Sequence, residues 1–176
     1  HLVMLAETGI LPPCDAGRIA QALDQIAAER DLDAMTYTGE VEDYFFYIER
    51  ELKRRLGPDL GGRLHTARSR NDIDHTIFKM ALRARIDALL DQMRALADAM
   101  LSTARRERDT LIMAYTHGQP AQPSTFGHYL SAALEILLRD IKRVENAREI
   151  VDLSSMGAAA ITTTGFPIDR AMVAHL

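Results

Sequence analysis

The sequence predicts an all-α protein in two parts. A small helical N-terminal domain covers residues 1–67, and the start of a long-helix bundle covers 68–176. Three observations lead there. Apolar residues recur at steps of three and four over long stretches, the period of a helix with one buried face. From Ile73 to about Arg106 the chain has neither proline nor glycine. No stretch alternates apolar and polar residues for long, so no strand is expected.

Residues 1–8 read as the end of a helix stopped by Gly9, and the two prolines of "ILPPCDAG" make a turn. Residues 16–34 return to helix, with Ile19, Leu23, Ile26 and Leu32 on one side. A further helix covers about 40–56, with Tyr44, Ile48, Leu52 and Leu56 as its buried stripe, and "GPDLGG" ends it. A polar break, "GRLHTARSRND" at 62–72, precedes the dominant helix, whose start Asn71 or Asp72 can cap. In that helix Leu82, Ile86, Leu89, Met93, Leu96 and Met100 step by three or four. Its length is roughly 50 Å, beyond an ordinary globular helix. A second polar break, "AYTHGQPAQPST" at 114–125, leads to a helix over about 124–150, capped by Ser124 or Thr125. Phe126, Leu130, Leu134, Leu137, Ile141 and Val144 face inward there. A third break, 154–167, is small and hydroxyl-rich.

With 47% hydrophobic and 26% charged residues, the composition is that of a soluble globular protein. A net charge of -4 argues against nucleic acid as partner. No segment approaches the apolar length needed to span a membrane, no signal peptide is evident, and the cytoplasm is the expected compartment. Cys14 stands alone, so neither a disulfide framework nor a cysteine metal cluster is expected. The first residue is not Met and the last residues begin another amphipathic segment, which reads as a piece of a longer chain.

The breaks hold the candidate chemistry. In "HTARSRND", Arg68 and Arg70 offer guanidinium forks suited to carboxylate or phosphate. Ser69 and Asn71 add neutral hydrogen bonds, and the N-terminus of the following helix adds a field that favours an anion. The alternative is a solvated connector whose arginines pair with surface acids, and Arg63 is as readily solvated as functional. His117, between Thr116 and Gly118, can move a proton near neutral pH, or can be a solvated turn residue. His65 reads as a second acid or base or, by a small margin, as a structural residue of its loop; His75 lies in the first turn of the long helix, placed to face the same pocket; His128 and His175 read as ordinary. The histidines have no zinc-binding spacing, and no glycine loop follows a strand. In "GAAAITTTG", 157–165, small side chains let backbone N–H groups approach a ligand, though the segment reads equally as a linker.

At these three breaks the chain resembles the argininosuccinate lyase branch of the fumarase/aspartase superfamily. "GGRLHTARSRND" is similar to its first signature, "YTHGQPAQPSTFGH" to its second, and "GFPIDR" stands where the family has "TFPIDR". The resemblance implies a fumarase/aspartase-like fold and a homotetramer whose active sites are shared between subunits. It implies anti β-elimination of an N-substituted aspartate, most simply argininosuccinate to arginine and fumarate, with no metal or organic cofactor. Carried over by position, Ser69, Arg70, Asn71 and Thr116 bind the dicarboxylate substrate, and Thr116 and His117 serve catalysis. The family's general base lies on a serine-rich loop beyond residue 176, so the 176-residue chain alone is expected to be inactive, and Ser154 and Ser155 do not take that role. Two departures bear on the amine half of the substrate: Phe45 and Tyr47 replace a histidine and an asparagine of the family. In the third region Thr162, Thr163 and Gly165 also differ from the family pattern. A lyase acting on another N-succinyl amine, and a non-enzymatic crystallin-like relative, are the alternative expectations.

Overall fold

The computed structural model describes residues 1–29, 31, 34 and 36–176. They form seven helices and one hairpin: α1 Leu2–Glu7, α2 Pro13–Glu29, α3 Tyr44–Leu56, α4 Pro58–Gly62, α5 Arg70–Arg106, β1 Leu111–Thr116, β2 Gln119–Thr125, α6 Phe126–Val151 and α7 Arg170–His175. A 3₁₀ turn, Arg63–His65, follows α4. The chain divides into two compact units: residues 1–76 with 154–176, and residues 77–153.

The first unit is built on Met4, Leu5, Ile19, Ile26 and Leu52, all almost wholly buried, with Leu11, Leu60 and Leu64 around them. Burying each such side chain is worth about 1.5–3 kcal/mol against leaving it in water. Ile168, Met172 and Val173 return from the end of the chain to pack on this core. The prolines at 12 and 13 act differently from the expected turn, because Pro13 is the first residue of α2, where its missing N–H costs nothing. In α3 Leu52 is buried, whereas Tyr44 is 44% exposed and leaves the expected stripe. Leu32, expected on the face of α2, lies outside the described residues.

The second unit is an antiparallel pair made by the rest of α5 and α6. Leu90, Ala97, Leu134 and Ile141 form its buried seam, with Ile86, Met93, Met100, Leu137 and Val144 against them. On α5 these positions run 86, 90, 93, 97, 100, the alternating four-three step of a coiled-coil seam. Leu89 and Leu96, expected inward, are 46% and 52% exposed. The seam passes between them and the opposite polar face, which is why a simple step of three or four misplaces them. Ion pairs line its edge: Arg148 Nε and Nη2 donate to Asp87, and Arg148 Nη1 and Arg83 Nη1 reach Asp152.

Gly127 sits where α6 meets the end of α5. A Cβ there would lie 2.5 Å from the Ala104 carbonyl oxygen and 2.6 Å from Arg108 Cα. The expected polar break at 114–125 is instead a hairpin, Leu111 pairing with Thr125 and Thr116 with Gln119, with an irregularity at Ala114/Tyr115. Pro120 and Pro123 hid it in the sequence, and both are tolerated because a two-stranded ribbon is all edge. Among the described residues no helix is long and apolar enough to cross a membrane.

Gly127→Ala should lower stability by about 1–3 kcal/mol, because the clash is with backbone that cannot rotate away. Gly17→Ala in α2, where a Cβ meets nothing within 4 Å, should instead add about 0.5–1 kcal/mol. Urea unfolding of the two variants checks both signs. Hydrogen bonds from Arg148 to Asp87, and from Arg83 and Arg148 to Asp152, hold both carboxyls below the ordinary aspartate value. Their contribution to stability is therefore complete above the unfolded-state value of about 3.9 and is lost as pH falls through the lower folded values. The melting temperature should fall in that acid range, and Asp87→Asn should flatten the fall.

Candidate functional site

In the first unit the donor-rich break is a rigid connector. Ala67 takes a left-handed φ of +60°, which turns the chain from the 3₁₀ turn into α5. Ser69 immediately precedes the helix: its Oγ accepts from the Asn71 N–H at 3.3 Å, and Asp72 Oδ1 accepts from the Ser69 N–H at 2.8 Å. Ser69 caps the second helical residue, and the side chain of the third, Asp72, reaches back to the cap's own N–H as in one half of a capping box. Ser69 thus takes the capping place expected of Asn71 or Asp72. Since Ser69 Oγ acts as acceptor to Asn71, its own proton is available to another oxygen.

The arginines differ sharply. Arg63 makes an exposed ion pair with Asp15 at 3.0 Å. Arg70 Nη1 donates to Glu42 at 2.9 Å and Asp43 at 3.1 Å, with Asp74 near Nε at 3.9 Å. Its guanidinium lies over the Phe46 ring, and the bond to Glu42 chiefly raises its pKa above the usual arginine value. Asp43 also caps α3 by accepting from the Phe46 N–H, so Arg70 ties the starts of α3 and α5 together. Arg68 is the opposite case. Its Nε is buried without a hydrogen-bond partner. Burial pulls its pKa down to about 10, against the favourable charges of Asp72 and Glu49.

Phe45 closes one side of the connector. Its ring meets His65 edge-on at 5.0 Å and Arg68 at 5.6 Å. With Glu49 these residues line a small cavity of about 40 Å³. His65 Nδ1 pairs with Glu49 Oε1 at 3.0 Å, as a structural residue would. Burial would raise the Glu49 carboxyl, and the bonds from His65 and Lys53 outweigh it and leave it lowered. Tyr47 instead meets Tyr44 and Arg50 on α3. Of the two aromatic departures, Phe45 is the one whose ring contacts reach the connector among the described residues.

The small-residue segment gives its N–H groups to the protein itself. Gly157 and Ala159 both donate to Asp72 Oδ2, at 3.0 and 2.9 Å. No sequence signal beyond the run of small residues foreshadowed this, because the acceptor lies 85 positions away. Ser154 Oγ accepts from the Met156 N–H.

In the second unit Thr116 and His117 stand at the hairpin tip, and both are exposed. His117 has φ +51° and Gly118 φ +74°. Two consecutive left-handed residues between paired strands make the turn that matches strand twist. The "HG" pair signals the turn, though not the strands on either side of it. Ser69, Arg70 and Asn71 are brought together in the first unit, and Thr116 and His117 in the second. His75, His128 and His175 are exposed.

A lyase family profile matches residues 4–176. Argininosuccinate lyase 2 of Agrobacterium fabrum is 64% identical over 176 residues, which are all of this chain and 35% of that protein. Argininosuccinate lyase of Methanothrix thermoacetophila is 44% identical over the same span, again 35% of its length. The chain thus spans about a third of these curated relatives. Among solved structures, an EDDS lyase variant with bound fumarate superposes with a TM-score of 0.87 at 33% identity, covering 99% of this chain and 34% of that one. A β-carboxy-cis,cis-muconate cycloisomerase from Acinetobacter calcoaceticus, 24% identical over 82% of this chain and 35% of its own, shares the fold with a TM-score of 0.68.

Gly118→Ala should cost about 1–2 kcal/mol, the penalty of a left-handed residue with a side chain. His117→Asn should cost far less, since asparagine accepts that conformation readily. Thermal unfolding of the two variants tests the turn geometry.

Proposed function

Because the chain belongs to the lyase family, we propose that it carries the carboxylate-binding and proton-transfer segments of a C–N lyase that converts argininosuccinate to arginine and fumarate. The observation that carries this reading is the 64% identity to an argininosuccinate lyase over every residue. In the proposed reaction a base removes the proton beside one carboxylate of the succinyl group. The electron pair collects on that carboxylate, then forms the C=C bond as the C–N bond breaks and the nitrogen takes a proton. What the protein must supply is oriented donors for the extra charge on the carboxylate.

Ser69, Asn71 and Arg70 are assigned to that task, with Thr116 on a substrate carboxylate and His117 in proton transfer near the leaving amine. The free hydroxyl proton of Ser69, and the position of all three residues at the start of a 37-residue helix, support the assignment. Arg70, already engaged by acids, serves as much to hold the connector as to bind substrate.

We further propose a homotetramer with shared sites. Leu89 and Leu96, seven residues apart and exposed on α5, form a stripe suited to helices of other copies.

A second reading, a lyase for a different N-succinyl amine, is favoured by Phe45. Its ring covers His65 and Arg68, where a polar side chain would offer hydrogen bonds to a guanidinium-bearing product.

The test follows fumarate absorbance with the full-length protein on argininosuccinate and on a panel of N-succinyl amines. Turnover of argininosuccinate well above the rest supports the first reading; preference for another amine supports the second; no fumarate from any of them overturns both. His117→Asn should cut turnover by about 10²–10⁴-fold, the usual weight of a general acid or base. Sedimentation should show the assembly unchanged, and equal loss of assembly and activity would return His117 to a structural role.

A further inference from the structure

Two acids are buried among the described residues, Glu51 and Asp72. Glu51 is neutralised by Arg54 at 3.0 Å. Asp72, only 3% exposed, has no ion pair at hydrogen-bond distance among the described residues, and both of its oxygens accept from backbone N–H groups. Burying a carboxylate this way is costly unless its oxygens are hydrogen-bonded, and three charge-assisted bonds serve both of them.

The bonds are divided between the oxygens. Oδ1 holds the N–H of Ser69, which caps α5. Oδ2 holds the N–H groups of Gly157 and Ala159. Those two N–H groups converge because Gly157 and Ala159 have φ of +85° and +52°, a concave backbone of the kind that binds anions. The segment is then closed on itself: the Thr163 N–H donates to the Ala158 carbonyl at 2.8 Å and Thr163 Oγ1 to the Gly157 carbonyl at 2.9 Å. Thr163 has φ +69°, which a β-branched residue adopts only when its surroundings enforce it. A capping carboxylate needs one oxygen for its helix. Here the second is buried on a segment 85 residues away.

We propose that Asp72 is a positioning residue that couples the 157–163 segment to the backbone of Ser69, and so sets the donors that receive the substrate carboxylate. The role rests on the lyase reading above. A planar carboxylate leaves little slack, so a shift of the segment moves Ser69, whose Oγ is itself fixed by the Asn71 N–H.

The test uses full-length Asp72→Asn. The amide oxygen can still accept from Ser69 and keep the cap, while its NH₂ faces the two N–H groups of Gly157 and Ala159. Hydrogen exchange at Gly157 and Ala159 should quicken, and fumarate affinity and the KM of the succinyl substrate should worsen by about 10–100-fold, the scale of small misplacements at a site. Faster exchange with unchanged fumarate affinity would overturn the proposal and leave Asp72 a tie in the fold. Unchanged exchange would overturn it as well. Thr163→Val, which removes only the bond to the Gly157 carbonyl, gives an independent arm should Asp72→Asn not fold. Weaker fumarate binding supports the coupling, and binding equal to the unaltered protein overturns it. If the unaltered protein neither releases nor binds fumarate, the lyase reading fails, and the positioning role with it. If it does both, the variants judge the coupling alone.

Discussion

A carboxylate taken out of water must find its compensation within the protein, and Asp72 finds it in three backbone N–H groups from two distant stretches of chain. Much of the first unit follows from that requirement. It fixes Ser69 as the cap of α5, and it gives the small-residue segment a reason for its left-handed turns at Gly157 and Ala159. The same packing uses the bare Cα of Gly157: a Cβ there would lie 2.6 Å from Arg170 Cγ, while Arg170 Nε bonds the Met156 carbonyl. The segment could have been a linker. Its geometry is instead that of an anion cradle whose anion is part of the chain.

Charge in the connector is distributed with similar economy. Arg63 has one acid on it, Asp15, whereas Arg70 has three, and it joins the capping aspartate of α3 to the first turn of α5. Arg68 is the arginine without such a partner among the described residues, held over Phe45 and felt at a distance by Asp72 and Glu49. Two residues apart, they do different physical work. One is a neutralised tie; the other is a desolvated cation that keeps its charge because its pKa remains well above neutrality.

Some of the site is legible in the residues alone. The hydroxyl, amide and guanidinium groups of Ser69, Asn71 and Arg70 are a donor set suited to an anion by type, and their place at the foot of a long helix was readable too. The "HG" of His117 and Gly118 is legible as a turn but not as a hairpin, because two prolines argue against a strand unless the strand has no neighbour on that side. The burial of Asp72 is not legible. Nothing local distinguishes a capping aspartate with one oxygen in solvent from one with both oxygens bonded, and the deciding partners are 85 and 87 residues on.

By itself, the sequence determined the helical class, the extent of α5 and α6 to within a few residues, and where the polar breaks between them fall. These depend on local periodicity, capping chemistry and the positions of proline and glycine, all of which act over a few residues. Tertiary structure alone decided which apolar positions are covered. Leu90 and Ala97 entered the seam while Leu89 and Leu96 stayed outside it, because an antiparallel partner selects one four-three stripe from a helix that offers several. It also decided which arginine is neutralised, since that depends on acids brought from α3 and the residues just before it. The physical reason is common to both: periodicity fixes the direction a side chain takes from its own helix, and only packing fixes what stands opposite it.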